Sequence, residues 1–91
     1  MKKGIQISKR DNVVVVLENI STGEQVEYAA DEGIKILAAK NDIDIYHKIA
    51  VCDIRKGSAV IKYGEIIGVA TKNIKKGEHV HIHNFESNFK N

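Results

Sequence analysis

Apolar and polar residues alternate along most of this chain in short runs, separated by polar turns that often carry glycine. A β-strand has a side-chain period of two, so these runs predict half-buried strands. Ile5 to Ser8 and Val13 to Leu17 read as strands, the second strongly β-branched, with the turn Lys9-Arg10-Asp11-Asn12 between them. After Ser21-Thr22-Gly23 comes a third, whose apolar side carries Val26 and Tyr28. Asp31 to Asn41 admits either a short helix capped by Asp31 or a strand, and the neighbouring elements favour the strand. Asp42 to Tyr46 is then a connector and Ile49 to Val51 the next strand. Gly77 to Asn84 alternates most strictly: Val80 and Ile82 take the core side, and His79, His81 and His83 the other.

A repeat lies beneath this pattern. Ile54-Arg55-Lys56-Gly57-Ser58-Ala59-Val60 matches Ile74-Lys75-Lys76-Gly77-Glu78-His79-Val80, and Ile20-Ser21-Thr22-Gly23-Glu24-Gln25-Val26 is a fainter copy. Each unit is an anchoring Ile, a polar turn ending at Gly, and a strand that begins at Val. Gly supplies the positive φ, while Ile and Val pin the two flanks of the turn to the core. The alignment sets Tyr63-Gly64 against His83-Asn84. Three such units in 91 residues predict one all-β domain of short strands and tight turns, spanning residues 1–91.

Composition narrows the function classes. Fourteen basic and twelve acidic residues are dispersed to a net charge of +2, so there is no clustered footprint for nucleic acid. Five aromatics, Tyr28, Tyr46, Tyr63, Phe85 and Phe89, make no stacking platform for single strands. The longest apolar run, Val13 to Leu17, is too short to cross a bilayer, and no signal-peptide layout opens the chain. The single cysteine, Cys52, cannot form an internal disulfide, reads as a small apolar filler, and fits a reducing compartment such as the cytoplasm.

The imidazoles are the chemistry that stands out. On an extended strand, His81 and His83 lie about 7 Å apart and can converge on one ion or one carboxylate, whereas His79 and His83 lie roughly 13 Å apart. At most a neighbouring pair then shares an ion, and a complete site needs a third ligand from elsewhere. His47-Lys48 is a second candidate, one residue able to exchange protons near neutrality and one able to neutralise a carboxylate. Tyr63-Gly64 offers a phenol beside a close backbone approach, and Asn84 an amide for a hydroxyl or for a turn. Nucleophilic triads, phosphate-cradling glycine loops and complete metal motifs are missing from the sequence.

His47-Lys48-Ile49-Ala50, Asp53-Ile54, Lys56-Gly57, Val60-Ile61-Lys62-Tyr63-Gly64, Ile67-Gly68, Ala70, Ile74, Gly77-Glu78-His79-Val80-His81 and His83-Asn84 together resemble one family. It is the amino-terminal SAF domain of the altronate and galactarate dehydratases, which also occurs as the separate small subunit of sulfolactate sulfo-lyase. Asp11-Asn12-Val13 looks like that family's opening motif. The resemblance implies a β-clip fold and a hydro-lyase acting on a sugar acid, active only with a large catalytic dehydratase subunit or domain. It implies iron(II) or another divalent metal held mainly by that partner, with His81 and His83 as ligands that need partner ligands. It implies catalytic roles for His47, Tyr63 and His81, and substrate contacts for Lys48, Gly64, His83 and Asn84. The same role in a sulfolactate sulfo-lyase, or a non-catalytic acid-binding and assembly module, are the alternatives. The chain departs from the family pattern at Ser8-Lys9-Arg10, where many relatives carry a His, and at Tyr46, where relatives tend to have Gly.

Overall fold

A computed structural model describes residues 1–87. Nine strands form two sheets, with no helix among the described residues: β1 (Lys2–Ile5), β2 (Val13–Val16), β3 (Gln25–Ala30), β4 (Gly33–Ala38), β5 (Lys48–Ala50), β6 (Ala59–Lys62), β7 (Glu65–Ala70), β8 (His79–Val80) and β9 (Phe85–Ser87). One sheet has the order β4-β3-β1-β2-β5-β8 and the other β6-β7-β9. All neighbours are antiparallel except β1 and β3. The all-β expectation holds, and the ambiguous segment is the strand β4. Its Ile34 and Ile36 are exposed, because β4 is the free edge of its sheet.

Two cores flank the middle of the larger sheet. Val14, Val16, Val26, Tyr28 and Ile49 belong to one, and Val13, Ala50, Val60, Ala70 and Val80 to the other. Both faces of β2 and β5 are therefore covered, which explains why Val13 to Val16 form an uninterrupted β-branched run.

The repeat is the frame of each core. Ile20, Ile54, Ile74 and the paired Val26, Val60 and Val80 are all buried, and Gly23, Gly57 and Gly77 have φ of 90°, 88° and 91°. A fourth copy, Asp42-Ile43 through Tyr46 to Ile49, is hidden in the sequence because Tyr46 stands in the glycine position, with φ 69°. The hydrogen bonds reveal it: the amides of Gly23, Tyr46, Gly57 and Gly77 all donate to carbonyls across the chain, those of Ala39, Val16, Ala70 and Ala50. The copies pair as Ile20 with Ile43 and Ile54 with Ile74. The polar residue before each Ile accepts from the partner turn. Asn19 takes Ile45 N, Asp42 takes Thr22 N, Asp53 takes Lys76 N and Asn73 takes Lys56 N, at 2.8–2.9 Å.

Three sequence expectations fail. The first strand spans Lys2–Ile5 rather than Ile5 to Ser8, because the amides of Ile7 and Ser8 turn to the Asp11 carboxylate. Cys52 is exposed rather than a core filler, because β5 stops at Ala50 and the chain bends at 51–52. The histidine run is not one strand: β8 ends at Val80, and Ile82, expected in the core, is 84% exposed.

Candidate functional site

The histidine loop is made by a short ladder and a local clamp. Antiparallel pairing of β5 with β8 sets Lys48 opposite Val80 and Ile49 opposite His79. One step further, His47 faces His81, and their rings stack with centroids 4.1 Å apart. The chain then turns back at 81–84, where Asn84 N and Phe85 N donate to the His81 carbonyl. Buried Asn84 closes the turn: its Oδ1 accepts from His81 N at 2.9 Å and its Nδ2 donates to the His79 carbonyl at 2.7 Å. Asn41 Oδ1 takes the His79 amide at 2.9 Å.

The turn gathers what an extended strand would spread. His79 and His83 have ring centroids 5.1 Å apart, against the roughly 13 Å that strand rise gives. His47 and His79 share a hydrogen bond, Nδ1 to Nε2, at 2.9 Å, so one of the two rings presents a lone pair and the other a proton. Burial first, then the neighbouring His83, His47 and His81 rings, lower the His79 pKa to about 4. His81 is also lowered, by burial and then by His47, Lys48 and His83. Both are therefore neutral imidazoles at pH 7.

Among the described residues, His47, His79 and His81 each offer one ring nitrogen, and these atoms lie within 4.8 Å of one another. Two nitrogens bound to one tetrahedral ion at about 2.1 Å are about 3.4 Å apart, so small ring rotations bring all three onto one ion. This chemistry of neutral nitrogen donors suits zinc, iron or another first-row divalent ion. Sequence reasoning, by assuming continued extension, kept His79 and His83 apart and did not name His79 among the site residues. The signal was present in the repeat, which aligned His83-Asn84 with Tyr63-Gly64. Tyr63 (φ 56°) and Gly64 (φ 78°) form a two-residue hairpin turn between β6 and β7, so a reversal was to be expected at the equivalent position.

The other candidates are more dispersed. Lys48, the first residue of β5, lies over the Phe85 ring at 5.1 Å, beside the second core rather than in the imidazole stack. Burial, and then the Lys62 charge, lower its pKa. Tyr63 is 45% exposed, and its ring lies beneath the Lys62 ammonium at 5.1 Å. The Gly64 amide donates to Asp11 Oδ1 at 2.7 Å. Asp11 is buried and also accepts from Ile7 N and Ser8 N, while the Asn12 side chain bonds Ala59 O and Ile61 N. Asp11-Asn12 thus latches the first turn onto the β6–β7 hairpin. Asn84 has its amide engaged within the loop, which gives it a positioning role.

Beside the stack opens a groove of about 520 Å³, lined by Asn41, Lys72, Asn73, Glu78, His79, His83 and Asn84. A larger one, of about 630 Å³ between Lys40, Asp53 and Lys75, carries no imidazole and has no comparable chemistry. No helix among the described residues is long and apolar enough to cross a membrane.

Comparison with known proteins matches residues 2–88 to the altronate/galactarate dehydratase SAF domain. The chain is 41% identical over 88 residues to an altronate dehydratase of Bacillus subtilis, and 40% identical over 84 residues to one of Escherichia coli. These matches take in 97% and 92% of this chain but 17% and 16% of those relatives, so the chain spans about a sixth of their length. It is also 36% identical over 76 residues to the (2R)-sulfolactate sulfo-lyase subunit alpha of Chromohalobacter salexigens, covering 81% of each.

Proposed function

The chain belongs to the altronate/galactarate dehydratase SAF-domain family, and from that premise we propose that it is the SAF component of a lyase acting on a sugar acid. In this reading it builds one wall of an active site that a larger catalytic polypeptide completes. The observation that carries the reading is the convergence of His47, just before β5, with His79, His81 and His83 at the end of β8, beside a polar groove. A core has no use for four imidazoles, whereas elimination of water needs groups that move protons near neutrality.

Elimination removes the proton α to a carboxylate while the β-hydroxyl leaves as water. His47 and His81, stacked at 4.1 Å with His81 a neutral imidazole, present ring nitrogens that can accept a proton or hold a divalent ion that would polarise the departing hydroxyl. The groove also carries Lys72, and Lys48 stands near enough for its charge to act on His81. Either cation can balance a substrate carboxylate. Tyr63 and Gly64, at the hairpin tip, would contact substrate only where the partner folds the site over them. The free thiol of Cys52 accords with work in the cytoplasm.

The test reconstitutes the chain with the large dehydratase polypeptide and follows 2-keto acid formation from altronate and galactarate. His81→Ala combined with His83→Ala should cut turnover by on the order of 100-fold, the usual yield of a positioned acid or base. A binding measurement on the same mixture keeps loss of docking separate from loss of chemistry. Unchanged turnover in the double variant would defeat the assignment. The match to most of a stand-alone lyase subunit favours one second reading, a subunit of a sulfolactate sulfo-lyase. Sulfite release from sulfolactate, without keto-acid formation from the sugar acids, would select it.

A further inference from the structure

Three observations meet at the β5–β8 edge. The ring nitrogens of His47, His79 and His81 lie within 4.8 Å of one another, on backbone held by the strand ladder and by Asn84. The His47–His79 hydrogen bond of 2.9 Å holds two donor atoms close to the roughly 3.4 Å that separates adjacent ligands on a single tetrahedral ion. The third ring, His81, lies one residue beyond the ladder, where the Asn84 side chain holds its amide, and it stacks on His47 at 4.1 Å. His83 is near His79 but outside the set of mutually close donors among the described residues.

We propose that this chain holds a divalent transition-metal ion of its own through His47, His79 and His81. Three neutral nitrogen ligands leave at least one coordination position open, the arrangement of catalytic rather than structural sites. The open position faces solvent or a partner, and an ion there carries its full positive charge, which suits a ligand with carboxylate or hydroxyl oxygens. Use of this ion in a reaction rests on the lyase reading. Metal binding is measured without activity, so either can fail while the other stands.

The experiment uses the untagged 91-residue chain, stripped of metal, titrated with Co²⁺ by visible absorption and with Zn²⁺ by calorimetry. One ion per chain is expected, with Co²⁺ d–d bands of a nitrogen-ligated centre. His47→Ala, His79→Ala and His81→Ala should each weaken binding by about 100-fold or more, as loss of one of three ligands implies. His83→Ala and Cys52→Ser should change it by less than about threefold, since neither belongs to the ligand set. Circular dichroism of each variant establishes that it is folded, and the glutamine substitution at the same position, close in volume and able to hydrogen-bond, replaces any alanine variant that is not. Absence of stoichiometric binding by the folded wild-type chain overturns the proposal. So does binding that depends on His83 and ignores His47.

Discussion

Gly23, Gly57 and Gly77 occupy one position of the repeat with φ of 90°, 88° and 91°, so an alanine at each meets the same backbone penalty. A left-handed conformation costs an L-residue roughly 1–2 kcal/mol, and alanine returns about 0.4–1 kcal/mol by restricting the unfolded chain. Gly23→Ala and Gly57→Ala should therefore each cost about 1 kcal/mol, because a Cβ at either site meets nothing within 4 Å. Gly77 differs only in its surroundings. Its Cβ would lie 2.5 Å from the Ala38 carbonyl oxygen, a backbone atom at the end of β4. Neither side can easily yield, since Gly77 N donates to Ala50 O and its own carbonyl accepts from Lys40 N, both at 2.8 Å. Overpacking of this kind adds about 1–3 kcal/mol, for a total of about 2–4 kcal/mol. At roughly 4–8 °C per kcal/mol for a domain of this size, Gly77→Ala should melt at least about 8 °C below wild type and well below the other two. Urea denaturation of the three variants side by side measures the difference with wild-type m-values as the control. Equal costs, or a Gly77 variant that is the mildest, would refute the claim that close approach, beyond φ, selects glycine there.

Two further outcomes follow from the loop and the paired turns. Asn84→Ala removes two hydrogen bonds and leaves the His81 amide and His79 carbonyl without their partner, at a cost of about 2–4 kcal/mol in thermal or urea melts; Asn84→Asp, which keeps the acceptor, should lose about half as much. A melt identical to wild type for Asn84→Ala would show that the loop does not depend on this clamp. The Asp42 carboxylate accepts from both N and Oγ1 of Thr22, and the backbone bond, followed by the hydroxyl, holds its pKa below the usual 3.8. The folded value being the lower one, its contribution is present above pH about 4 and fades as pH falls through that depressed value. Asp42→Asn should thus flatten part of the acid limb of a Tm-against-pH curve, and an unaltered limb would count against the pairing.

The repeat was legible in the sequence because it is local. An Ile, a glycine three residues on and a Val three beyond that state a turn with two buried flanks, and every one of those Ile and Val residues is buried. The strand reading of Gly33–Ala38 followed from the same consistency between neighbours. The fourth copy escaped because Tyr46 adopts φ 69°, a conformation that nothing in a tyrosine announces. Sheet order, the parallel pairing of β1 with β3 and the division into two cores came only with the tertiary structure, since they join segments distant in sequence. The histidines show the division most sharply. Their alternation was visible, but extended rise spread them out, and His47 lay 32 residues from His79. Strand pairing brought His47 opposite His81, and the Asn84 turn folded His83 back toward His79. Sequence determined where the imidazoles stand along the chain; the hydrogen-bonded ladder and one buried amide decided that they meet.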